Sequence, residues 1–237
     1  KDQNMLSQGQ YFNPIVPLYL FPRGEDFTPY RMYERYDEGR QLMTQHWPYG
    51  EMGMAMQNPY WIINRNMFNN DRDRYMANAG LKYKVFDWMD ISGRVRIDNA
   101  NTRHTKKLYA STDAKFAQNK GYYGDRKDVD KQLYADFLVN INKRFNDFDL
   151  TANVGASIQD VSMDYVGAEG QLSMIPNFFT LHNVDLGANN SRIKQDGWKE
   201  QTQSVFASAE LGWKSMIYLS ATARNDWSSA LVNTPNS

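Results

Sequence analysis

The chain has 237 residues, no cysteine, and 27 basic against 27 acidic side chains. The missing thiols exclude disulfides, cysteine-ligated zinc and a thiol nucleophile, and the balanced charge offers no basic stripe for nucleic acid. A mean hydropathy of −0.70, with no apolar run near twenty residues, excludes a transmembrane helix. It does not exclude a transmembrane barrel, whose strands need an apolar residue only at every second position.

No signal peptide opens the sequence. Lys1-Asp2-Gln3-Asn4 and Asn233-Thr234-Pro235-Asn236-Ser237 both read as mid-loop, so the chain is expected to be an internal piece of a longer protein. Residues 1–73 show no clean alternation and read as one long loop region. Pro14, Pro17, Pro22 and Pro29 suggest a stiff, extended path there, and Met52, Met54 and Met56 suggest adaptable packing. Asp71-Arg72-Asp73-Arg74 lacks the turn glycine and ligand spacing of a calcium loop and reads as a solvated strand entry.

Alternation then begins. Tyr75, Ala77, Ala79, Leu81, Tyr83 and Val85 interleave with Met76, Asn78, Gly80, Lys82 and Lys84. After a turn near Phe86-Asp87-Trp88, Met89, Ile91, Gly93, Val95 and Ile97 interleave with Asp90, Ser92, Arg94, Arg96 and Asp98. A helix would mix these sets, because its period is 3.6 residues and not 2. A second hairpin sets Leu133, Ala135, Phe137, Val139 and Ile141 against Gln132, Tyr134, Asp136, Asn140 and Asn142, with Leu138 as the exception. It turns at Lys143–Asp147 and returns with Phe148, Leu150, Ala152, Val154, Ala156 and Ile158 opposed to Asp149, Thr151, Asn153, Gly155, Ser157 and Gln159. The third pairs Val205, Ala207, Ala209, Leu211 and Trp213 with Ile217, Leu219, Ala221 and Ala223 around a turn at Lys214-Ser215. Phe206 is the exception on its polar face.

The prediction is an all-β, antiparallel segment of about six long strands in three hairpins, near 74–86, 88–98, 131–143, 148–160, 202–213 and 216–227, with 228–237 starting a further loop. Short turns close one end. Long connections, about Asn99–Asp130 and Asp160–Gln201, lie at the other. A soluble sheet with one buried face would alternate equally well. Strand length favours a transmembrane barrel, since crossing a bilayer takes about 9–11 residues against a soluble mode of about 5–6. So do the aromatics beside the short turns (Phe86, Trp88, Phe145, Phe148 and Trp213), placed as an interfacial girdle would be. In a barrel the short turns are periplasmic, the long loops, residues 1–73 among them, are extracellular, and Lys82, Arg94, Arg96, Asp136, Asn140, Asn153, Ser157 and Arg224 face the lumen.

Catalytic patterns are missing. His46, His104 and His182 stand apart, without a second ligand at metal spacing. There is neither a GxxxxGK[ST] loop nor a G-x-S-x-G elbow, and Ser228-Ser229 reads as loop polarity. Neither enzymatic activity nor a cofactor is expected. Two readings stand for Trp47, Tyr49, Tyr60, Trp61, Tyr122 and Tyr123 in the loops: ligand-stacking platforms, or rings that pack the loops together.

Several segments together resemble the SusC/RagA family of TonB-dependent outer-membrane transporters: Asn58-Pro59-Tyr60-Trp61; Asn69-Asn70-Asp71-Arg72-Asp73-Arg74-Tyr75; Gly155-Ala156-Ser157-Ile158-Gln159; Ile175-Pro176-Asn177-Phe178-Phe179-Thr180-Leu181; and Ala223-Arg224-Asn225-Asp226-Trp227-Ser228-Ser229-Ala230-Leu231. The resemblance implies part of a 22-stranded barrel in the outer membrane of a Gram-negative, Bacteroidota-like cell. It further implies a plug, a SusD-like surface lipoprotein as partner, energy from TonB, and oligosaccharide or peptide as cargo. The chain carries no recognisable TonB box, plug or carboxypeptidase-like leading domain, which are expected upstream. The alternatives are a soluble β-rich module that captures glycans at a cell surface, and a passive porin.

Overall fold

A computed structural model of the chain describes residues 2–3, 9–51, 53 and 56–231. Met52, Met54 and residues 232–237 of the final loop lie outside the described residues. The elements in chain order are β1 (Asp2–Gln3), α1 (Ile15–Leu20), β2 (Glu34–Asp37), β3 (Leu42–Gln45), α2 (Pro59–Arg65), β4 (Asn66–Phe86), β5 (Met89–Tyr109), β6 (Gly121–Phe145), β7 (Phe148–Gln171), β8 (Arg192–Trp213) and β9 (Ile217–Ser228). One sheet has the order β1-β4-β5-β6-β7-β8-β9, and β2 and β3 pair separately. No described helix is long and apolar enough to cross a membrane.

The six strands and three hairpins are present, and the short turns shrink to Asp87-Trp88, Asn146-Asp147 and Lys214-Ser215-Met216. Asn146, Lys214 and Ser215 take the left-handed backbone conformation common in tight reversals, while Asp87-Trp88 turns without it. The strands run much further than the alternation indicates. Residues 66–73, 99–109, 121–130, 161–171 and 192–201, all expected as loop, are strand. Backbone N–H and C=O groups carry the ladder whatever the side chains do, so pairing continues where one face ceases to be oily. The proline expectation is also corrected. Pro14 caps α1, Pro17 lies within its first turn, and Pro29 opens a short 3₁₀ turn, positions where the missing N–H costs nothing.

The chain forms two compact units, residues 1–73, 101–128 and 165–196, and residues 74–100, 129–164 and 197–237. In the second unit one face of the sheet is polar and laced across its strands. Arg74 grips Asp98 with two hydrogen bonds of 2.8 and 2.6 Å, Arg94 meets Asp136 at 2.9 Å, Lys82 meets Asp90 at 3.2 Å, and Asn140 donates to Asp90 at 2.8 Å. Phe206 belongs to this face because Gly155 makes room for it: a Cβ on Gly155 would lie 2.6 Å from its ring. Arg224, directly opposite Phe206 on β9, covers the same ring from 5.8 Å.

The other face of that unit carries the apolar set, and it is bare. Leu81 is 77% exposed, Leu219 73%, and Val154 50%. Along each strand the set ends at polar positions, among them Asn99 on β5, Lys131 on β6, Asp160 and Asp164 on β7, and Gln203, Gln201 and Lys199 on β8. The band between turn and polar margin is about 9–11 residues tall, the length that crosses a bilayer at a tilt of about 45°. At about 3.3 Å per residue, that is about 21–26 Å along the normal.

Candidate functional site

The first unit owes its order to buried amides. Asn58 caps α2 by accepting from the Tyr60 backbone N–H at 2.9 Å, while Pro59 supplies the preset first turn. Its Nδ2 donates to the carbonyls of Tyr30 and His46 at 2.8 and 3.0 Å. Gln45 accepts from the Asn58 N–H and donates to the Ser111 carbonyl, and Trp61 Nε1 donates to Thr112 at 2.9 Å. The Asn-Pro-Tyr-Trp motif is thus a helix start fastened to two loops. Asn183 does the same for residues 174–180. Its Oδ1 accepts from the N–H groups of Met174 and Ile175, and its Nδ2 donates to the Ile175 and Phe178 carbonyls.

The loop aromatics go mostly inward. Trp61 is fully buried, and Trp47, Tyr122 and Tyr123 are nearly so. Trp47 packs against Phe21 and Tyr30 at centroid distances of 5.4 and 5.3 Å, and Tyr123 lies beside Phe179. Tyr122 joins Phe12, Phe68, Leu108 and Ala117 in a core. A buried ring has no face left for a sugar, so as stacking platforms only Tyr49 and half-buried Tyr60 remain. Long loops need an apolar interior of their own, and these rings supply it.

The residues named as lumen-facing all lie in the second unit. Besides the pairs above, Arg96 approaches Asp98 at 3.6 Å, Asn153 donates to Ser208 at 3.2 Å, and Arg224 holds Asp226 and Ser204. Ser157 is half-buried.

A depression of about 290 Å³ in the first unit was not foreseen from the sequence. It is lined by charged side chains of four strands, Lys106 on β5, Arg126 on β6, Glu169 on β7, and Arg192 and Lys194 on β8, with His104 at its side. Two glycines shape it. A Cβ on Gly124 would stand 3.1 Å from Glu169 Cβ and 3.5 Å from Lys106 Cβ, and one on Gly167 would stand 2.7 Å from Arg126 Cβ. Arg126 is bound to Asp128, which also lies 3.3 Å from His104 Nε2, and the His104 Nδ1 meets Asn70 Oδ1 at 2.7 Å. Burial, reinforced by Arg192 and Lys194, presses the Lys106 ammonium below the usual lysine range, against the opposing pull of Glu169. Burial and the Glu169 carboxylate push the Tyr122 phenol up. The one signal in the sequence was parity: His104 and Lys106 continue the even positions of Arg94, Arg96 and Asp98. Among the described residues no three His, Asp or Glu side chains gather as metal ligands do.

No protein-family model and no curated protein matches the chain. Solved structures do. A chain of the RagAB peptide transporter superposes with a TM-score of 0.65 at 17% identity, over 73% of this chain and 19% of that one. The same peptide importer matches with TM-scores of 0.65 in its closed-closed state and 0.60 in its open-open state, at the same identity and coverage. The two share a fold. The match spans about a fifth of the transporter chain's length.

Proposed function

We propose that the chain is part of the barrel of an outer-membrane importer of the SusC type, one that takes up peptides or oligosaccharides with a SusD-like lipoprotein and energy from TonB. The observation that carries this reading is the bare apolar band of the second unit, backed by a cross-linked polar face. An exposed apolar surface of this extent needs a cover, and a band of about one bilayer thickness suits lipid. Pairing strands around a closed ring satisfies every backbone group, the only sheet solution in hydrocarbon. Similarity to a peptide transporter supports the import role. On this reading Lys82, Arg94, Arg96, Asp136, Asn140, Asn153, Ser157 and Arg224 line a watery lumen, and the loop unit stands on the cell exterior.

The test is cell fractionation followed by electrophoresis of boiled and unboiled samples. The protein is expected in the alkali-resistant outer-membrane fraction, with mobility that changes on heating. Recovery in the aqueous fraction, with mobility indifferent to heat, would overturn the reading in favour of a soluble surface module.

A further inference from the structure

The depression in the first unit has a charge surplus that its own residues leave unspent. Arg126 is committed to Asp128, and Asp125 is held by Arg103 through bonds of 2.9 and 2.6 Å. That leaves Lys106, Arg192 and Lys194 facing the single carboxylate of Glu169. None of the three cations is in an ion pair among the described residues. Lys106 has swung over the Tyr122 ring, 4.5 Å from its centroid, a contact that only partly replaces an anion. Clustered cations in a concave site repel one another and favour an anionic guest.

We propose that this depression is a carboxylate-binding subsite for cargo, with Lys106, Arg192 and Lys194 as the anion-holding groups. The Tyr122 ring, which Lys106 covers, fixes the geometry of Lys106, and the guest rests in the opening that the four strands line. At about 290 Å³ the depression lies at the lower end of small-molecule sites, so it holds one acidic residue or sugar and not a whole oligomer. The subsite rests on the importer reading for its role, but its binding chemistry can be measured separately. Carboxylates reach such a protein from acidic peptides or from uronic-acid oligosaccharides, and the chemistry is the same in both.

The membrane protein containing this sequence, purified in detergent, is titrated calorimetrically with C-terminally amidated tri-glutamate, C-terminally amidated tri-glutamine and trigalacturonate. At least one carboxylate ligand is expected to bind about tenfold or more tightly than tri-glutamine, and the better of the two identifies the source. The double variant Arg192→Gln/Lys194→Gln, altered at exposed positions that folding tolerates, should lose about tenfold or more of that affinity. Lys214→Gln, whose partner is Asp147 in a turn, should leave it unchanged. Failure of both carboxylate ligands to bind more tightly than tri-glutamine, or full affinity in the double variant, would overturn the subsite. Each of those results leaves membrane insertion, read by heat-modifiable mobility, untouched. A protein that binds carboxylate yet stays in the aqueous fraction would sink the importer reading alone.

Discussion

Replacing Val154 by arginine separates a lipid-facing strand surface from any other kind. Val154 is six residues along β7 from Phe148, where the strand leaves its short turn. At about 3.3 Å per residue and a tilt of about 45°, that puts it about 20 Å along the strand and about 14 Å along the membrane normal. The apolar band is about 25 Å tall, so in the proposed barrel the side chain would sit near mid-bilayer, where arginine costs about 2–4 kcal/mol. Asn153 is its neighbour on the opposite face, hydrogen-bonded to Ser208 at 3.2 Å. Asn153→Arg forfeits that one bond, about 0.5–1.5 kcal/mol, in a wet environment that accepts a charge. The assay is reversible guanidinium unfolding from phospholipid vesicles, followed by tryptophan fluorescence. Val154→Arg should be the more destabilising variant by about 1–3 kcal/mol. Equal losses, or a larger loss for Asn153→Arg, would refute the assignment of faces.

Three further outcomes follow from packing and charge. Gly155→Ala drives a methyl group into the Phe206 ring and to 2.8 Å from the Phe137 carbonyl, and overpacking of this kind costs about 1–3 kcal/mol; in the same unfolding assay Phe206→Ala should recover part of the loss. Asn183→Ala strips the partner from the Met174 and Ile175 N–H groups and one of two partners from the Ile175 and Phe178 carbonyls, at about 0.5–1.5 kcal/mol for each bond lost; limited proteolysis should then cut within residues 174–180 well before the strands. The Arg103 guanidinium holds the Asp125 carboxyl below its ordinary value of 3.8. Its contribution is therefore complete above about pH 4 and disappears as the pH falls through the depressed value. Protection of the outer ends of β5 and β6 against hydrogen exchange, corrected for the intrinsic rate, should fall over that interval, and Asp125→Asn should abolish the dependence.

The sequence displayed the second unit far better than the first, for a physical reason. Where one face of a strand meets an apolar medium and the other meets water, side chains must alternate, and Phe148–Ile158 does so without error. Beyond the polar margin part of the strand surface packs against loop residues, as Leu108 and Tyr122 do with Phe12 and Ala117, and part meets water, so Asn99–Tyr109 obeys no period although the strand continues. The exceptions were informative as well, since Phe206 broke the pattern because Gly155, on the next strand, had vacated the space. Tertiary accidents of that kind cannot be read along one strand. The loop unit was illegible because its order depends on amides meeting carbonyls far along the chain, as Asn58 meets Tyr30, and the charged depression because its members come from four strands. The burial of Trp61 and Tyr122 was open in the same way: an aromatic in a polar loop has the same sequence context whether it stacks on cargo or on its neighbours.

The central claim is that the even positions of β7 from Leu150 to Ile158 touch hydrocarbon while the odd ones face water. The chain has no cysteine, so single cysteines at residues 150 to 158 can each carry a nitroxide in the protein reconstituted in bilayers. Collision rates with oxygen, which concentrates in lipid, and with a water-soluble nickel chelate should alternate with period two and opposite phase, oxygen favouring the even positions. A profile without that alternation, or with the phases reversed, would contradict the account.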